Sequence, residues 1–129
     1  MTLQQVHHIV VRVKELEQGI ASYQAMGLSL QRTAENAALG IRQAFFPLAD
    51  GSFIEVVCPT NPESAVGKAL ASRGEGIHSI VFKVENVARA AGEMKSRGVS
   101  LIGEGGAQVF VHPRSSHGVL VQLTDKSAG

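Results

Sequence analysis

Two tandem βαβββ modules, an α+β arrangement, are predicted by an internal repeat and by a pair of matched glycines. His7-His8-Ile9-Val10-Val11-Arg12-Val13 returns as His78-Ser79-Ile80-Val81-Phe82-Lys83-Val84, every pair 71 positions apart. Self-similarity at a fixed period marks a repeated supersecondary unit. The offset continues through Leu16, Ile20 and Tyr23, spaced as on one helix face, which map onto Val87, Ala91 and Met94. Gly27 maps onto Gly98. Each follows a helical pattern, where a left-handed residue closes a helix and a Cβ would cost energy. The later parts correspond at an offset near 67, with Asp50-Gly51 and SFIEVV set against His117-Gly118 and VLVQLT.

Each module is expected to run strand, helix, then three strands. In the first, apolar runs rich in Val, Ile and Phe place strands at 6–13, 29–34, 41–47 and 53–58, with a helix between Leu16 and Gly27. Residues 62–73 form a linking helix with Pro62 in its first turn, where a missing N–H costs nothing. The second module has strands at 78–84, 99–103, 107–112 and 119–124 around a helix ending near Gly98. Residues 1–129 are thus expected to be one domain: module 1–60, linker helix 61–75 and module 76–126.

Composition narrows the function. With 12 basic and 11 acidic residues, net charge +1, and no basic run, nothing suggests a nucleic-acid partner. No apolar run approaches the roughly 20 residues that span a bilayer, and no signal pattern opens the chain, so a cytoplasmic protein without membrane contact is expected. The single Cys58 makes no internal disulfide or thiolate-rich zinc site and is expected as a buried small hydrophobe. Gly103-Glu104-Gly105-Gly106 lacks the strand-to-helix context of a dinucleotide fingerprint, so no nucleotide cofactor is indicated.

Side chains alternate across a strand. Ile9, Val11 and Val13 are therefore expected to meet the helix, leaving His8 and Arg12 on the other face. Glu55 shares that second face, between Ile54 and Val56, as do Ser79 and Gln122; His78 falls on the opposite parity unless a bulge re-aims it.

Three stretches, HHIVVRVKELEQGIASY, ESAVGKALASRGEGIHSIVFKVENV and VHPRSSHGVLVQL, resemble the vicinal oxygen chelate superfamily, and most closely its methylmalonyl-CoA epimerases. The resemblance implies a curved mixed sheet around a cleft, a homodimer, and a divalent metal that chelates two substrate oxygens. The metal positions fall on His8, Glu55, Ser79 and Gln122; the epimerase pattern has His in place of Ser79 and Glu in place of Gln122. A position that some members use for a proton-abstracting Glu falls on Gln43.

Imidazole and carboxylate suit zinc, nickel, cobalt or manganese, an amide oxygen is a weaker donor, and a serine hydroxyl is poor. His8, Glu55 and Gln122 are the expected ligands, with Glu55 doubling as base and Gln43 and Ser79 lining the substrate site. Arg12, Lys83 and Arg114 are the expected contacts for an anionic group; Arg12 and Lys83 occupy matched strand ends, and Arg114 lies in a stretch similar to the epimerases' HPKS segment. A primary amide serves as neither acid nor base at neutral pH, so two-base epimerisation is expected to be weak or absent. Three readings stay open: a divergent isomerase or lyase acting beside the carbonyl of a small acyl thioester or 2-oxo compound, a metal-free protein that sequesters a small molecule, and an inactive duplicate or a subunit serving a partner.

Overall fold

The computed structural model describes residues 1–128. Its elements follow the order β1 (Gln5–Arg12), α1 (Leu16–Ala25), β2 (Arg32–Asn36), β3 (Ile41–Pro47), β4 (Phe53–Pro59), α2 (Ala65–Arg73), β5 (Gly76–Lys83), α3 (Val87–Ser96), β6 (Leu101–Ile102), β7 (Val109–Val111) and β8 (Val121–Thr124). The class is mixed α+β, as expected. Contacts divide the chain into two compact units, Ile9–His78 and Met1–His8 with the chain from Ser79 onward, so β1 and β5 each contribute residues to both.

In the unit Ile9–His78 the strand order is β2-β3-β4-β1. β3 runs antiparallel to both neighbours, with Ala34 opposite Gln43 and Phe45 opposite Glu55. Val13, Leu16, Ala44, Phe46, Val56 and Cys58 form its core, joined by Val11, Ile20 and Ile54. This is the parity expected from alternation: on β4 the residues flanking Glu55 turn to α1. The helix sits close, because a Cβ on Gly19 would come within 2.9 Å of a Val56 methyl. Gly27, at φ 98°, closes it in the left-handed region.

The linking helix starts later than the sequence suggests. Ser64 is its cap, with Oγ accepting from the Gly67 N–H at 3.0 Å, and Asn61 bonds the Glu63 N–H in a preceding turn. Pro62 therefore lies in that turn and not in the helix. Gly67 faces it so closely that a Cβ would fall 2.6 Å from the Pro62 carbonyl oxygen.

In the other unit the order is β5-β8-β7-β6, with β5 and β8 parallel and the remaining pairs antiparallel. Its core gathers Ala90, Ala91 and Met94 of α3 with Val84, Val109, Val111, Val121 and Leu123. The Asn86 side chain caps α3 by accepting from the Arg89 N–H at 2.9 Å, and Gly98, at φ 86°, follows its end. β6, β7 and β8 are all shorter than expected. β8 begins after His117 and Gly118 turn the chain with positive φ, so Val119 stands exposed outside the strand.

Candidate functional site

In the unit Ile9–His78, alternation on β4 sends Glu55 away from the α1 core, yet it is only 8% exposed. A carboxylate so placed needs hydrogen-bond donors. Gln43, from the adjacent β3, supplies one: its Nε2 donates to Glu55 Oε2 at 3.0 Å. The structure thus brings together two predicted site residues, one able to hold a proton and one able only to orient its neighbour.

Arg12 is buried, where a strand-end arginine is ordinarily solvated. Its Nε donates to the Gly74 carbonyl and its Nη1 to the Ile77 carbonyl, both at 2.8 Å. Burial, and secondarily the charge of Arg73, lowers its pKa. Its partners lie at the beginning of β5, whereas Lys83 is the last residue of that strand. His78 is half-buried, and its Nδ1 is enclosed without a hydrogen-bond partner. Burial lowers the pKa of its imidazole, as do Arg12 and Arg73, against an opposing pull from Glu55.

In the other unit, His8 is half-buried with Nδ1 2.7 Å from Nδ1 of the buried His7. One ring must donate and the other accept across this contact. Burial is the largest cause lowering the His7 pKa; hydrogen bonding with the Ser127 backbone opposes it. Ser79 is 3% exposed. Gln122 is half-buried, opposite Val81 on β5 and Phe110 on β7. Lys83 is half-buried, and its carbonyl accepts from the Gln4 N–H at 2.9 Å. Arg114 is exposed in the 3-10 turn Pro113–Ser115, where its Nε donates to Ser100 Oγ at 3.1 Å and its N–H donates to His112 Nδ1 at 3.0 Å.

Two features lay outside the sequence reasoning. His7 was passed over although it is the counterpart of His78 in the repeat, and the burial of Arg12 had no signal beyond its parity. A polar depression of about 280 Å³ at the start of α3, lined by residues including Thr2, Glu85, Arg89 and Glu93, contains none of the predicted site residues.

Among the described residues no group of three or more His, Cys, Asp and Glu gathers in a way that could hold a metal ion. The expected ligand set contains only two residues of those types, His8 and Glu55, and Gln122 adds a neutral oxygen. That is the minimum of three protein donors found in catalytic metal sites, reached only by counting an amide.

Residues 6–123 match the family model described as a glyoxalase-like domain. The chain belongs to the glyoxalase-like family. Within the vicinal oxygen chelate superfamily, its glyoxalase-like relatives include the ethylmalonyl-CoA/methylmalonyl-CoA epimerase of Cereibacter sphaeroides, 26% identical with 92% of this chain and 95% of the relative covered. The human mitochondrial methylmalonyl-CoA epimerase is 25% identical, with 94% of this chain and 73% of the relative covered. A solved Streptomyces coelicolor methylmalonyl-CoA epimerase in complex with 2-nitronate-propionyl-CoA superposes with TM-score 0.82 at 32% identity, covering 95% of this chain and 96% of its own. That of Mycobacterium tuberculosis gives TM-score 0.85 at 27% identity, covering 95% of this chain and 87% of its own. The fold is that of the epimerase and glyoxalase group. Among the described residues no helix is long and apolar enough to cross a membrane.

Proposed function

We propose that this protein is an isomerase-type enzyme that moves a proton beside the carbonyl of a small acyl thioester, using Glu55 as its single base. The observation that carries the reading is the buried Glu55 carboxylate fixed by the Gln43 amide at 3.0 Å. A base must be held in one orientation to reach a carbon-bound proton, and the Gln43 hydrogen bond fixes the carboxylate through Oε2. The likeness to epimerases of acyl-CoA substrates supports the thioester.

If a divalent ion takes part, Glu55 is the residue of the unit Ile9–His78 that would hold it, and the ion would supply electrophilic stabilisation of an enolate oxygen. Arg114, held through its Nε by Ser100, keeps its terminal nitrogens for an anionic part of the ligand. Gln43 and Gln122 neither accept nor release protons at neutral pH, so the proton is expected to return to the face from which it left. Exchange with solvent should therefore outpace inversion.

The test is α-proton exchange in deuterated water, followed by NMR, with methylmalonyl-CoA and propionyl-CoA. Exchange faster than epimerisation, abolished by Glu55→Gln, is the expected result. Epimerisation as fast as exchange would overturn the single-base reading. The neutral Ser79 and Gln122 at two of the expected ligand positions favour a second reading, a sequestering protein; tight acyl-CoA binding with no exchange would establish it.

A further inference from the structure

Within the unit Ile9–His78 a guanidinium is buried without an acid to balance it. Arg12 is 5% exposed, and its side chain is committed to two carbonyls, of Gly74 and Ile77. Those carbonyls take up two of the five N–H donors that a guanidinium carries and neutralise none of its charge. Among the described residues neither Arg12 nor Arg73 forms an ion pair with a carboxylate. The charge of Arg73 acts on Arg12 as well, and it is repulsive.

The two carbonyls also say what stands around the guanidinium. Gly74 directly follows Arg73, and Ile77 directly precedes His78, so the bonds that fix Arg12 bring it beside both residues. Arg73 is the exposed last residue of α2. The His78 Nδ1 is buried without a partner. Buried cations are ordinarily paired, because desolvating an unpaired charge is costly. Here two arginines and an imidazole nitrogen share one junction; Glu55 attracts the imidazole, and among the described residues no carboxylate pairs with either guanidinium.

We propose that Arg12, Arg73 and His78 form a receptor for an oxyanion, a phosphate or carboxylate group of the small-molecule ligand, at the junction of α2 and β5. A planar guanidinium fixed by its Nε and Nη1 presents its remaining donors as a pre-set fork, the geometry that phosphate and carboxylate oxygens accept. Arg73, on the solvent side, admits and closes over the anion. Assigning the anion to an acyl thioester rests on the function proposed above; the receptor itself does not.

The experiment titrates the full chain with inorganic phosphate at constant ionic strength and follows the arginine Nε–H and backbone amide resonances. A saturable shift at Arg12, Gly74 and Ile77 is expected, with affinity falling roughly tenfold in Arg73→Gln, a surface change that leaves the strut intact. Arg12→Lys should lose binding as well, but its melting temperature must be followed because the α2–β5 junction depends on Arg12. No saturable shift in the unaltered protein, or equal phosphate affinity in Arg73→Gln, would overturn the receptor.

Coenzyme A, propionyl-CoA and malonyl-CoA then identify the owner of the anion. Weakening of all three in Arg73→Gln assigns a coenzyme phosphate, and weakening of malonyl-CoA alone assigns an acyl carboxylate. Unchanged affinity for all three overturns the link to the ligand. Because these are binding measurements, they stand or fall separately from proton exchange.

Discussion

β4 and β8 hold equivalent places in the repeat, yet they present different chemistry. On β4, Glu55 is buried and fixed by an amide from the neighbouring strand. On β8, Gln122 is half-buried between Val81 and Phe110, with no charge of its own. The flanking apolar residues do the same work in both: Val56 and Leu123 each join the core beneath a helix. Duplication has kept the packing face of each strand, whereas the face turned from the helix has diverged. Packing constrains volume at every core position; chemistry constrains only those residues that take part in it.

The largest effect should come from erasing the difference between the strands. Glu55→Gln gives β4 the side chain that β8 already has, and α-proton exchange should fall by about 10²- to 10⁴-fold, the usual worth of a positioned base. Gln122→Ala should leave much more exchange than Glu55→Gln; equal losses would show that the strands do not differ in role. Truncation under the helices should be costly in both units. Phe46→Ala, at a fully buried site, is expected to destabilise by about 3–5 kcal/mol, and Met94→Ala by about 2–5 kcal/mol, measured by urea unfolding.

Protonation offers a finer comparison, since each unit buries one imidazole with a lowered pKa, His7 in one and His78 in the other. The unfolded chain binds these protons near the ordinary value of 6.5, before the folded chain does. Stability should accordingly be unaffected by these groups well above that pH and fall as pH drops through it. It should level off only below the folded values. Melting temperature measured from pH 8 to pH 5, in the unaltered protein and in His7→Asn and His78→Asn, checks this; each substitution should flatten part of the slope.

The smallest effect concerns the helix starts. Asn86 caps α3, whereas Glu15 at the start of α1 makes no side-chain cap bond. Asn86→Ala should cost about 1 kcal/mol, and Glu15→Asp should gain several tenths, both read from unfolding midpoints.

Much of the fold was legible because repetition and alternation are local properties of the sequence. The third strand, at Ile41–Pro47, lies where its apolar run placed it, and both helix-closing glycines have the expected backbone. The second strand was placed too early, since Leu28 and Leu30 look like strand residues but pack against the α1 core before β2 starts at Arg32. The linker helix was begun too soon because Pro62 serves a turn as readily as a helix start. At the candidate site, parity gave the outward turn of Glu55 on its strand. It was silent on the Gln43 bond, on the His7–His8 contact and on the burial of Arg12. Those depend on which residues the neighbouring elements deliver, and a one-dimensional pattern does not carry that.

The division of the chain within β1 and β5 bears on how such a molecule can originate. Its opening eight residues associate with the C-terminal portion, so a fragment ending before Gly76 and one starting there would each be deprived of part of a strand's company. A primordial half-length gene would have needed a second copy of its product to complete either sheet segment. Fusing the copies turned a concentration-dependent encounter into an intramolecular one.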